Sequence, residues 1–173
     1  MKKQVKVRSH KKTERLYTPV ANIEEYNKVL AAHGDRVILA WNEKNEVREL
    51  TYADFAKMIV DFARGLTAQF GAKSGKRIAI MGETSARWVA SYLAVIASGN
   101  VAVPMDKELD PTEIAKFLDV AEASAVVYSS TFDKMYRDIA SKKENLLLIP
   151  MDPEAQAEDG ILPYSTVLAN GQK

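Results

Sequence analysis

Residues 76–118 read KRIAIMGETSARWVASYLAVIASGNVAVPMDKELDPTEIAKFL. Arg77 to Met81 form a short apolar run that turns at Gly82. The segment from Ser85 to Ser98 is then apolar nearly all round, with Trp88, Val89, Tyr92, Leu93, Val95 and Ile96 set among small residues. Gly99 stops it, and Val101 to Pro104 make a second short apolar run. Asp110-Pro111-Thr112-Glu113 then opens another helix, with Asp as N-cap, Pro in the first helical position and Glu reaching back. Short continuous apolar strands alternating with helices predict a parallel sheet covered on both faces, here a βαβα unit. A helix apolar on every side predicts burial between the sheet and a further layer.

The pattern continues downstream. Ser124 to Ser129 and Asn145 to Pro150 read as two more buried strands, with helices over Pro111–Ala121 and Phe132–Lys142. After Pro150 the chain turns acidic through Gly160, and Ile161 to Asn170 carry a brief apolar register. Asn170 to Lys173 read as a loop cut short.

Upstream, Tyr52, Phe55, Ile59, Phe62, Leu66 and Phe70 share one helical stripe that Gly71 ends. Thr51 and Asp54 form a capping-box pattern at its start, in which hydroxyl and carboxylate would satisfy orphan amides. Two apolar runs, Arg36–Asn42 and Val47–Tyr52, flank Glu43-Lys44-Asn45-Glu46 and predict a β-hairpin with a polar four-residue turn. A short helix is expected from Ile23 to His33, ended by Gly34. The predicted fold class is therefore α/β, a largely parallel sheet flanked by helices, with an N-terminal hairpin. Residues 1–16 are expected to be a basic tail and residues 17–173 a single subdomain.

That tail carries Lys2, Lys3, Lys6, Arg8, Lys11, Lys12 and Arg15 against one acid, Glu14. It reads either as an arm for nucleic acid or anionic lipid, or as a solvated terminus. The whole chain has a formal net charge of +1, which argues against a strongly steered nucleic-acid protein. With 47% hydrophobic residues it can build an ordinary core. It lacks cysteine, so disulfides and thiolate metal sites are unavailable. Its histidines are His10 and His33, too few for a zinc site. No window approaches the roughly 18 apolar residues of a membrane span, and no apolar signal segment follows the basic start. A cytoplasmic protein without a membrane span is expected.

Four segments invite a chemical reading. Gly71-Ala72-Lys73-Ser74-Gly75-Lys76 resembles a phosphate loop but has the wrong glycine spacing. It also has Arg77 where Ser or Thr belongs, and it precedes a strand where such a loop follows one, so a structural turn is expected. Gly82-Glu83-Thr84 follows a strand and opens a helix, where amides bind anions; alternatively Gly82 permits the turn and Thr84 or Ser85 caps the helix. Asp106, Lys107 and Glu108 lie after a strand, at an end where α/β sheets place ligands, or in a solvated loop. Ser129 and Ser130 also follow a strand, with no base nearby in sequence. Trp88, Phe55, Phe62 and Phe70 are spaced as core, not as a base-stacking platform.

Taken together, the segments resemble the N-terminal part of the adenylate-forming, AMP-binding superfamily. The matching pieces are Gly34-Asp35-Arg36, Leu50 to Phe55, Gly75 to Ile80, Thr84 to Ala94, Gly99 to Pro104 and Asp110 to Ile114. The stretch Val103 to Leu109 is most similar to bacterial long-chain fatty-acid–CoA ligases. The resemblance implies a parent enzyme that uses ATP, Mg2+ and coenzyme A to turn a fatty or other carboxylic acid into an acyl-adenylate and then an acyl-CoA. The superfamily's Ser/Thr/Gly-rich phosphate loop is absent from residues 1–173. It follows that no catalytic, cofactor-binding or metal-binding residue carries over to this sequence. The resemblance implies a natural or engineered piece of the enzyme, inactive by itself, with dimers possible through surface left uncovered. The alternative is a stand-alone, non-catalytic α/β binding or association module. Nucleic acid is not an expected partner.

Overall fold

The computed structural model describes residues 20–43 and 46–173. The basic stretch of the expected 1–16 tail lies outside the described residues, as do Lys44 and Asn45; Glu43 and Glu46, expected in the four-residue hairpin turn, are instead strand residues paired with each other. Helix α1 (Ile23–Ala31) precedes an antiparallel hairpin of β1 (Val37–Glu43) and β2 (Glu46–Thr51). Then follow α2 (Tyr52–Phe70), β3 (Arg77–Met81), α3 (Ala86–Ala97), β4 (Val101–Pro104) and α4 (Pro111–Val120). The chain continues through β5 (Ala123–Tyr128), a 3-10 turn (Ser130–Phe132), α5 (Asp133–Ala140), β6 (Leu147–Pro150) and α6 (Tyr164–Gly171).

Strands β3 to β6 form one parallel sheet in the order β4-β3-β5-β6. Alternating side chains build two cores, as the pleat requires. Ile78, Ile80, Ala125, Val127 and Ile149 face the core shared with α2, α3 and α6. Ala79, Met81, Val126, Tyr128 and Leu148 face Ile114, Leu118, Tyr136 and Ile139 of α4 and α5. The β3-to-β4 crossover and the β4-to-β5 crossover run in opposite directions across the sheet. Crossovers of one hand then place α3 and α4 on opposite faces.

Helix α2 packs chiefly on α6, α3 and α1, and its buried side chains join the core on that face of the sheet. Its stripe is as the spacing predicts: Phe55, Ile59, Phe62 and Leu66 are buried. Thr51 accepts from the Asp54 amide (3.1 Å), but the Asp54 carboxylate accepts from the Thr51 hydroxyl (2.8 Å), not from a backbone amide. The α4 start is a complete capping box, with Asp110 accepting from Thr112 and Glu113 amides and Glu113 reaching back.

Two further expectations need correction. Asn170 and Gly171 are helical, not loop, because α6 docks on α2 through glycines. A Cβ on Gly171 would lie 1.8 Å from the Asp61 carbonyl oxygen, and one on Gly65 would lie 2.0 Å from that of Val167. Helix α3 is buried on one face only, through Ala90, Ser91, Ala94 and Val95. Its larger side chains are half-buried and Ile96 is exposed, since the sheet, α1 and α2 cover it incompletely.

Candidate binding cleft

The strand order reverses between β3 and β5, and open α/β sheets hold ligands outside the carboxyl ends of strands at such a point. Here that end is built from the turn after β3 and the turn after β5. The Ser129 amide donates to the Met81 carbonyl (3.1 Å), and the Glu83 amide donates to Ser129 Oγ (3.3 Å). Gly82 passes so close to Ser129 that no side chain fits between them. Glu83's own amide, then the Ser129 hydroxyl, hold its carboxyl below the usual range against a smaller opposing effect of burial. Ser85, not Thr84, caps α3, accepting from the Trp88 amide at 3.2 Å.

Beside this junction lies a cleft of about 650 Å³. The hairpin forms one wall with Leu39, Ala40, Trp41 and Leu50, and Met58 and Val89 continue the apolar surface. Thr84, Ser85, Ser129 and Ser130 bring hydroxyls to it, and Met151, Asp152 and Pro153 close it at the end of β6. Arg87 lines it too, and is half-buried. Its Nη1 donates to the Met151 carbonyl at 2.6 Å, and its guanidinium lies 6.0 Å from the centre of the Tyr164 ring. Tyr164 stacks on Phe62 at 4.2 Å, and burial pushes its hydroxyl far above the ordinary phenol range. The ionisable side chains of the lining are Arg87 and Asp152, and the Ser129 hydroxyl is hydrogen-bonded to Glu83.

Of the segments singled out by sequence, Thr84, Ser129 and Ser130 meet at this cleft. Asp106, Lys107 and Glu108 form an exposed turn after edge strand β4, in which Asp106 accepts the Glu108 amide at 2.9 Å and Lys107 lies 3.7 Å from Glu108. The Gly71–Lys76 segment sits at the amino end of β3, as a structural turn. Buried Asn100 pins it by accepting from the Ser74 hydroxyl (2.7 Å) and the Lys76 amide (2.9 Å). Trp88 is half-buried and stacks on Tyr92 at 6.0 Å. Arg87, Trp41 and Asp152 carried no signal in the sequence, because what gives them meaning is contact across distant segments.

The family model described as "AMP-binding enzyme" matches residues 26–167. The chain belongs to the AMP-binding enzyme family. An Arabidopsis thaliana relative, the chloroplastic long-chain-fatty-acid–[acyl-carrier-protein] ligase AEE15, is 26% identical over 149 residues, covering 82% of this chain and 20% of that protein. The rice (Oryza sativa subsp. japonica) 4-coumarate–CoA ligase-like 3 is 31% identical over 114 residues, covering 62% of this chain and 18% of that protein. The chain thus spans about a fifth of the length of these AMP-binding relatives.

Solved structures share the fold. The A-PCP didomain of a carboxylic acid reductase from Segniliparus rugosus, in complex with AMP, superposes with a TM-score of 0.75 at 15% identity, over 90% of this chain and 27% of that one. Coronafacic acid ligase from Pectobacterium brasiliense gives 0.73 at 18% identity, over 86% and 29% respectively. The parallel sheet, its flanking helices and the N-terminal hairpin are therefore the architecture of AMP-binding, adenylate-forming domains.

Proposed function

We propose that this chain is the N-terminal part of an ATP-dependent acyl-CoA ligase acting on fatty acids, and that its own role is to scaffold the reaction. The whole reaction joins a carboxylic acid to ATP, releases pyrophosphate, and passes the acyl group to coenzyme A with release of AMP. ATP, Mg2+ and coenzyme A are then ligands of the whole enzyme. The observation that carries this reading is the AMP-binding match over residues 26–167. The resemblance of Val103 to Leu109 supports the fatty-acid ligase branch. We assign the protein to the cytoplasm; among the described residues no helix is long and apolar enough to cross a membrane. Pyrophosphate release tests the proposal: with ATP, Mg2+, coenzyme A and a fatty acid, the purified chain should give no more than the protein-free rate.

A further inference from the structure

We propose that the cavity between α1, α2 and the residue after α6 is a binding site for a small phosphorylated polyol, with its hydroxyls on Asn27 and Asp61 and its phosphate at Arg64. The cavity holds about 440 Å³ and shares no lining residue with the cleft at the carboxyl end of the sheet. The inference therefore stands whether or not the chain serves adenylate formation.

The first ground is a pair of unfilled acceptors. Helix α1 packs on α2, and Ala31, Ala53 and Ala56 are too small to fill the space between them. Asn27, half-buried in the cavity wall, donates from Nδ2 to the Ala56 carbonyl at 3.2 Å. That bond fixes the amide, and Oδ1 is left buried with no partner among the described residues. An unpaired buried acceptor is costly, and a hydroxyl brought into the cavity satisfies it. Asp61 is also buried. The Lys57 ammonium and the Gln172 amide (2.9 Å) both bind its Oδ2, which leaves Oδ1 for a second hydroxyl.

The second ground is the charge and the wall. Among the ionisable side chains of the cavity, Lys57 and Arg64 stand against Asp61, so one positive charge is in excess. Lys57 uses one of its three donors on Asp61. Arg64 is exposed and feels the Asp61 charge, but it has no hydrogen-bonded or ion-paired partner among the described residues. Its planar fork suits a phosphate, and its exposure makes that anchor sensitive to salt. The apolar lining is the methyl groups of the three alanines and Val60. Such a wall packs on the C–H faces of a polyol and offers no channel for an acyl chain. Small-molecule sites usually hold roughly 300–1,000 Å³, and about 440 Å³ accommodates a hexose phosphate.

Titration calorimetry on the whole chain, without ATP, compares glucose-6-phosphate, glucose and inorganic phosphate. Glucose-6-phosphate is expected to saturate about tenfold more tightly than either fragment, with an affinity that falls as salt rises. Arg64→Gln, at an exposed position, should weaken it about tenfold, to the level of glucose. Asn27→Ala should weaken it to the level of inorganic phosphate and leave inorganic phosphate unchanged. If the Asn27 variant does not fold, Arg64→Gln and the salt dependence decide the matter. The absence of saturable binding, equal affinity for glucose-6-phosphate and inorganic phosphate, or affinity untouched by Arg64→Gln would overturn the proposal. So would binding that Arg87→Gln removes and Arg64→Gln spares, because the ligand would then lie in the cleft.

Discussion

A Cβ placed on Gly82 would fall 2.0 Å from Ser129 Oγ, so the turn that leaves β3 and the turn that leaves β5 touch through a glycine and a hydroxyl. This contact fixes the sheet's switch point and, with it, one side of the cleft.

Gly82→Ala is therefore expected to lower stability by about 2 kcal/mol, the size of an overpacked core position. Ser129→Ala should cost about 1 kcal/mol for the hydrogen bond lost from the Glu83 amide. Because the clash is with Oγ, the double variant should lose less than the sum of the two. Urea unfolding of the four proteins in this cycle measures the coupling. Strict additivity would contradict a direct contact.

Between α2 and α6 the same argument applies to backbone. A Cβ on Gly171 meets the Asp61 carbonyl oxygen at 1.8 Å, and a helix backbone cannot turn aside as a side chain can. Gly171→Ala should lower the unfolding midpoint and speed amide exchange throughout α6. Gly160→Ala, at a position with open space around it but a positive φ, should leave α6 exchange unchanged.

Asn100 is buried and takes both the Ser74 hydroxyl and the Lys76 amide on one oxygen, while its amide nitrogen donates to Ser98 Oγ at 2.9 Å. Removing it breaks all three bonds, although the Ser98 hydroxyl keeps its bond to the Val95 carbonyl, so Asn100→Ala should cost about 1–2 kcal/mol in denaturant unfolding. Asn100→Asp keeps the acceptor and should recover part of that loss.

The pH dependence follows from two acids and three phenols. Burial acts to raise Asp61 and Asp133, but hydrogen bonds outweigh it: Lys57 and Gln172 on Asp61, Tyr128 and Arg137 on Asp133. Both acids are thus held below the ordinary carboxylate range. Their contribution is fully present above that range and is lost as pH falls through the lowered values. Tyr128, Tyr136 and Tyr164 are displaced upward, chiefly by burial, so stability should fall again as pH rises beyond the ordinary phenol range, roughly 10. Urea midpoints against pH should trace this plateau, and Asp133→Asn should flatten its acid limb. An unchanged acid limb would remove Asp133 from the explanation.

What the sequence made legible was local. The α2 stripe, the Asp110 capping box and the apolar strand runs each depend on neighbours within a turn or two, and each lies where spacing predicts. Strand order is not local: β3 pairs with both β4 and β5, and nothing in the runs themselves ranks those partners. Helix α6 was hidden because a glycine near its end is a poor helix former, and only the close approach to α2 explains it. The cleft was half legible. Ser129 stood out by following a strand, whereas Arg87 acquires its role from Met151, 64 residues away.

Pyrophosphate release by the purified chain, supplied with ATP, Mg2+, coenzyme A and a long-chain fatty acid, tests the scaffolding role most directly. The prediction is a rate equal to the protein-free control at every protein concentration. Release that depends on the carboxylic acid and grows in proportion to added chain would contradict it.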